Sequence, residues 1–197
     1  MMRLRKGLLV ALFGPLLLIA CGGEEWRTKD ISGLVPDLEF ALTDEQGRAV
    51  RAADYRGRIA LLFFGYTHCP DVCPATMARL STAVAALGPG AHDELRVLFV
   101  SVDPARDTPE HLRRYTDYFG DSVIGLTGDK PALDALTKRY RVTYGYGDKD
   151  ADGNYSVSHA SGVFVFGREG EPRLLLRESD TQEAVQEDLR RLLSERG

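Results

Sequence analysis

Cysteine is scarce in this 197-residue chain, with three in all, at positions 21, 69 and 73. That number excludes a small fold stapled by several bridges. Cys69 and Cys73 stand four residues apart, and a bond between them would close too short a loop to hold a domain together. The value of the pair is therefore chemical rather than structural. Basic runs and interleaved aromatic and basic residues are also missing. With 29 acidic against 25 basic residues the net charge is −4, and binding to a nucleic-acid backbone has no electrostatic footing. No apolar stretch reaches the ~20 residues that cross a hydrocarbon core comfortably, and no internal repeat marks a solenoid. What is present is an ordinary globular composition, 44% hydrophobic and 27% charged, in a length that suits one domain with a leader.

The leader is read over residues 1–20. Arg3, Arg5 and Lys6 form a basic start, and an apolar stretch from Gly7 to Ala20 ends in small residues, which is the pattern of a secretory signal peptide. Leu18-Ile19-Ala20-Cys21 resembles the bacterial lipobox, whose cysteine is lipidated and becomes the new N-terminus. Lipid on Cys21 would tether the domain to a bacterial membrane outside the cytoplasm; an uncleaved anchor would leave it in the same compartment. Removal of residues 1–20 leaves 22 basic against 29 acidic residues, so the mature chain is distinctly acidic. Residues 21–33 read as a tether and 34–197 as the domain.

Within the domain, Leu38–Leu42 and Arg48–Arg51 around the turn signal Asp44–Gly47 predict an N-terminal hairpin. Ile59–Phe64 is an uninterrupted apolar run, expected of a strand covered on both faces. Met77, Leu80, Val84 and Leu87 share one face of a helix expected over 74–87. Leu95–Val102 predicts a second buried strand, followed by a helix opened by Asp107 or Thr108 with Pro109 in its first turn. Val123–Leu126 predicts a short third strand, and an Asp129-capped helix should run to Tyr140. The alternation then breaks: Val142–Asp148 and Tyr155–Ser158 flank a polar turn and read as a long inserted hairpin. Gly162–Phe166 and Arg173–Arg177 close the sheet as an antiparallel pair before a last helix. Strands alternating with helices imply a largely parallel sheet covered on both sides.

Gly65-Tyr66-Thr67-His68-Cys69-Pro70-Asp71-Val72-Cys73-Pro74 lies between a buried strand and a helix N-terminus. Pro74 disfavours a helical conformation before it, which puts Cys73 at or just before the helix start. The orphan N–H groups there favour a thiolate. Two thiolates from one tight turn are a soft donor pair suited to Cu(I), and a neutral imidazole adds the donor that also tolerates Cu(II). His159 is the best-placed imidazole, since it precedes the Gly162–Phe166 strand, whose start would face the cysteine loop. His92 lies in a polar connection, His111 in a helix first turn, and His68 adjoins Cys69. A redox disulfide between Cys69 and Cys73 without metal is the plain alternative. Met77 reads as core, and Tyr144 and Tyr146 as hairpin residues that either pack on the hairpin or face a partner.

These segments together resemble the Sco/SenC family of copper proteins, which assist assembly of the dinuclear copper centre of cytochrome c oxidase. The match is carried by Gly65–Pro74, by Val102-Asp103-Pro104 with Arg106–Glu110, by Tyr115–Phe119, and by Ser158-His159-Ala160, in order, over about residues 34–193. The resemblance implies an α/β thioredoxin-like three-layer fold with a central mixed sheet, an N-terminal hairpin and an inserted hairpin before the ligand histidine. It implies one copper ion, Cu(I) or Cu(II), on Cys69, Cys73 and His159, and favours Asp103 as an acid beside the site over the mere end of a strand turning through Pro104. His68 and Asp71 read first as a solvated loop, with tuning of the thiols or contact with a partner as the alternative. It also implies a copper-bearing oxidase subunit as acceptor and an upstream copper donor or thiol reductant as supplier. Ser158 departs from the pattern, since many members carry Asp there.

The competing chemistries fit less well. A structural zinc site usually closes with four protein ligands, and the cysteines here supply two. Peroxiredoxins place a threonine three residues before the reactive cysteine; here Tyr66 and Pro70 occupy those positions. The expected protein is a metallochaperone, monomeric until it meets its partner, with a thiol–disulfide reductase or a copper or redox sensor as alternatives.

Overall fold

The computed structural model describes residues 25–195; the leader, Cys21 and its surroundings lie outside these residues. An eight-stranded sheet forms the centre. β4 (Ile59–Gly65) and β5 (Leu95–Ser101) run side by side in parallel, in register from Ile59↔Leu95 to Gly65↔Ser101. Every residue of β4 is buried, as expected for a strand with helices on both faces. β6 (Val123–Thr127) extends the parallel set, and β9 (Val163–Phe166) lies antiparallel on the other side of β4. β10 (Pro172–Leu176) pairs antiparallel with β9. The N-terminal hairpin, β2 (Ala41–Asp44) and β3 (Ala49–Arg51), adds to β6. It starts three residues later than its apolar pattern suggests, because Leu38 and Phe40 are buried as core residues ahead of the ladder.

One strand was not anticipated. β1 (Lys29–Asp30) pairs with β10, and the buried Asp188 carboxylate accepts the Arg27 and Thr28 N–H groups and the Thr28 hydroxyl. The Trp26 ring lies under the guanidinium groups of Arg173 and Arg191. Residues 26–33, read above as tether, thus belong to the fold.

Among the described residues, five α-helices cover the sheet. α1 (Val72–Ala85) follows β4, the one-turn α2 (Ala91–Glu94) precedes β5, and α3 (Pro109–Thr116) precedes β6. α4 (Lys130–Arg139) precedes the inserted hairpin and α5 (Gln182–Ser194) ends the described chain. α3, α4 and α5 are capped by the side chains of Thr108, Asp129 and Thr181, each satisfying one orphan N–H. α1 packs against α5 and, through Ser81, against the Phe119 carbonyl beyond α3. Val163 faces Leu80 and Val185 on that side. Phe164 and Phe166 point to the opposite face, where the Tyr140 ring at the end of α4 packs on them. The order β10-β9-β4-β5, with α1 and α5 on one face and α4 on the other, is the thioredoxin-like arrangement, enlarged by α3, β6 and the hairpin.

The inserted hairpin is β7 (Tyr144–Tyr146) and β8 (Val157–His159), an antiparallel pair outside the main sheet that places Tyr144 opposite His159. It is fastened to the end of β5 by the Tyr146 hydroxyl, which donates to the Val102 carbonyl at 2.6 Å.

Candidate metal centre

β4 ends at Gly65, and the chain then turns through Tyr66–Pro70 into α1. Gly65 is needed for a steric reason: a Cβ there would stand 2.6 Å from Phe99 Cε2 and 3.0 Å from Cys73 Sγ. Contrary to the expectation from Pro74, α1 begins at Val72, so Cys73 lies inside its first turn. Pro74 is the third helical residue, where the N–H has no helical acceptor in any case, so its ring is tolerated.

Cys69, Cys73 and His159 converge, with their ligand atoms all within 4.8 Å of one another. Metal–sulfur bonds of about 2.3 Å and metal–nitrogen bonds of about 2.0–2.1 Å would hold three such atoms about 3.8–4.0 Å apart in a trigonal set. Closure therefore needs only small side-chain movements. Cys73 is fully buried and Cys69 half-buried, and both are free thiols.

The imidazole is oriented for ligation. His159 Nδ1 lies 3.0 Å from the Ala160 carbonyl, and a carbonyl only accepts, so Nδ1 carries the proton. Nε2 is left with its lone pair, 3.1 Å from Cys73 Sγ. A hydrogen bond from the far ring nitrogen is the usual way to fix the tautomer of a metal-binding histidine. Phe63 and Tyr66 meet the ring edge-on, both with centres 6.0 Å away.

The two thiols differ electrostatically. Burial alone pushes Cys69 up, yet the N–H groups of Cys73 and Asp71, with the Cys73 thiol and the Tyr66 hydroxyl, outweigh it and bring Cys69 below the ordinary thiol value. The Cys73 N–H lies 3.4 Å from Cys69 Sγ. Cys73 is driven well above the ordinary value, first by burial and then by the charge of Cys69. Cys69 is the more readily ionised thiol, and Cys73, whose Sγ lies beside His159 Nε2, is the one that holds its proton.

Asp103, His68 and Asp71 have surroundings of their own. Asp103 is fully buried, but its carboxylate accepts from Arg106 Nε at 2.5 Å and from the Tyr155 hydroxyl at 2.7 Å. With the Arg106 guanidinium 3.6 Å from the Tyr155 ring centre, Asp103 clamps the inserted hairpin. Asp71 is exposed and acts on Cys69 through its backbone N–H. His68 is half-exposed beside Thr67 and Asp107. Tyr144 and Tyr146 pack on each other, and Met77 is core.

Asp107 was read only as a possible helix cap, but Thr108 caps α3. The fully buried Asp107 carboxylate instead accepts the Thr67 N–H at 2.9 Å, the Thr67 hydroxyl at 2.6 Å and the Ser101 hydroxyl at 2.5 Å. It pins the cysteine loop to the end of β5. An acid directly before a second cap residue was the available signal, since one helix start needs only one of them.

The model of the family described as SCO1/SenC matches residues 33–194. The chain belongs to this family. Among SCO1/SenC relatives it is similar to the mitochondrial SCO2 homolog of Bos taurus, 37% identical over 152 residues that cover 76% of this chain and 57% of the relative. It spans about half the length of the curated relatives it matches. Among solved structures it resembles Bradyrhizobium japonicum ScoI with copper bound, at 35% identity and a TM-score of 0.72, covering 79% of this chain and 98% of that one. It also resembles apo Sco1 from Thermus thermophilus, at 36% identity and a TM-score of 0.74, covering 85% and 97%. Among the described residues no helix is long and apolar enough to cross a membrane.

Proposed function

We propose that this chain is a copper metallochaperone that takes one copper ion on Cys69, Cys73 and His159 and hands it on during assembly of the dinuclear copper centre of cytochrome c oxidase. The observation that carries this reading is the convergence of two sulfurs and one lone-pair imidazole nitrogen within 4.8 Å. That donor set is soft enough for Cu(I) and, with the imidazole, accepts Cu(II). Copper here is cargo. Three protein ligands leave coordination positions open, so an acceptor's cysteine or histidine can enter before the last donor leaves. Loading requires both cysteines as thiolates; Cys69 ionises more readily than an ordinary thiol, and Cys73 must release its proton to solvent.

The copper-bound ScoI relative supports the cargo assignment. The reading includes lipid on Cys21, a place outside the cytoplasm, a monomeric chain, an upstream copper donor or thiol reductant, and the copper-bearing oxidase subunit as acceptor. Its test is direct transfer: copper-loaded protein is mixed with the reduced, metal-free copper domain of that subunit. Appearance of the dinuclear centre's absorption in step with copper loss from this chain is the expected result; copper that stays put would contradict delivery.

A second reading rests on the asymmetry of the thiols. A partly exposed, low-pKa Cys69 beside a buried, protonated Cys73 is also the arrangement of an attacking and a resolving thiol, as in a reductase that keeps the acceptor's cysteines reduced. His159 separates the two, since a reductase keeps most of its dithiol activity in His159→Ala and a copper carrier loses Cu(II) affinity.

A further inference from the structure

We propose that His68 and His111 form a second metal-docking point, built from imidazole nitrogen alone, that takes a borderline divalent ion such as Cu(II) beside the thiol site. The rings come from separate elements, the cysteine loop and the first turn of α3, and their centres lie 5.1 Å apart with planes tilted by 42°. A ligating nitrogen about 2.0–2.1 Å from an ion puts the ring centre about 3.2 Å from it. Two imidazoles in neighbouring positions on one ion then have centres about 4.5–5.2 Å apart. The observed separation falls in that interval.

The lone pairs are available. His68 Nδ1 lies 3.1 Å from Thr67 Oγ1 and 3.5 Å from Asp107 Oδ1. The Thr67 hydroxyl gives its own proton to Asp107, so its oxygen accepts from Nδ1 of His68 and leaves Nε2 as the donor, with Thr67 linking the buried carboxylate to the ring. The ring of His111 has no hydrogen-bond partner among the described residues; only its backbone N–H is used, by the Thr108 cap. The His68 side chain is 42% exposed, so an ion from solvent can reach it. Two nitrogens suit Cu(II) and hold it less firmly than a site with thiolates.

Cys69 is the residue after His68, which places the docked ion next to the more readily ionised thiol. Movement inward exchanges nitrogen for sulfur ligands, the metal keeps its charge, and each thiol still protonated gives its proton to solvent. This loading role rests on the copper reading above; the existence of the two-histidine site does not.

The test uses the full chain carrying Cys69→Ser, Cys73→Ser and His159→Ala, titrated with Cu(II) alone. One copper is expected to remain, with nitrogen hyperfine lines in the electron paramagnetic resonance spectrum and no thiolate charge-transfer band. Adding His111→Ala should weaken that binding by about tenfold or more with the circular dichroism unchanged, whereas His92→Ala should not weaken it. Affinity and nitrogen lines unaltered by His111→Ala would overturn the proposal. In the otherwise native chain, absence of the charge-transfer band with the His111-dependent copper retained would sink the copper reading of the cysteines and leave this site standing.

Discussion

Cys73 and His159 are 86 residues apart in the chain, and the sulfur of one lies 3.1 Å from Nε2 of the other. The contact joins the first turn of α1 to the last residue of β8, so helix, main sheet and inserted hairpin must all be in place before the donor set exists. It sets a thiol raised by burial beside an imidazole nitrogen whose ring partner is already committed to Ala160. That arrangement separates the behaviour of the two cysteines.

Alkylation should show the separation. In single-cysteine variants of the reduced protein, Cys69 is expected to react with iodoacetamide at lower pH than an ordinary thiol, because the backbone N–H groups around it hold it below the usual value. Cys73 should stay slow until the protein unfolds, since burial holds it protonated. Mass spectrometry of timed samples measures both rates, and equal rates would contradict the asymmetry.

Gly65→Ala should damage stability and site together. The added Cβ would press on Phe99 and on Cys73 Sγ, and overpacking of this kind costs about 1–3 kcal/mol. Urea denaturation is expected to show that loss, and copper affinity should fall because Cys73 is displaced. A variant with native midpoint and native copper binding would mean that the loop has slack.

Asp107→Ala removes the acceptor for three donors of Thr67 and Ser101. Leaving such groups unpaired in the interior costs about 2–4 kcal/mol in all. Asp107→Asn keeps an acceptor and should cost less. Asp103→Ala should act elsewhere, releasing Tyr155 and Arg106 and speeding hydrogen exchange in the inserted hairpin. Greater loss of stability in Asn than in Ala at 107 would contradict the role assigned to that carboxylate.

Acid stability has predictable contributors. Burial pushes Asp44 up, but the N–H groups of Arg48 and Gln46 and the Arg48 guanidinium outweigh it and lower its pKa from 3.8. Asp180 is lowered in the same way, burial being outweighed by Arg177. For a carboxyl depressed in the folded state, stability is fully present above the unfolded value and is lost as pH falls through the folded one. Denaturation midpoints should therefore drop below about pH 4, and Asp44→Asn should flatten that drop. An unchanged slope would show that other carboxylates dominate.

Much of this was legible in the amino-acid sequence, for identifiable reasons. Ile59–Gly65 and Leu95–Ser101 read as central strands because burial on both faces leaves no polar alternation. Cys69 and Cys73 were legible through chemistry, since an isolated thiol pair stands out; His159, one of four histidines, was singled out by the resemblance to the Sco/SenC family rather than by its spacing. β1 was not, because two polar residues carry no periodicity and its anchor, Asp188, lies 160 residues away. The partners of Asp103 and Asp107 were hidden for a related reason: what a buried carboxylate does depends on which donors the fold brings to it. Here those are Arg106 and Tyr155 for one, Thr67 and Ser101 for the other.

Anaerobic titration of the reduced protein with one equivalent of Cu(II), comparing the visible spectra of wild type and His159→Ala, bears most directly on copper binding by Cys69, Cys73 and His159. One thiolate-bound copper per chain is expected in the wild type, with a sulfur-to-Cu(II) charge-transfer band that shifts or weakens in the variant. Fully titratable thiols with no such band in the wild type would contradict it, and would leave Cys69 and Cys73 as a redox pair.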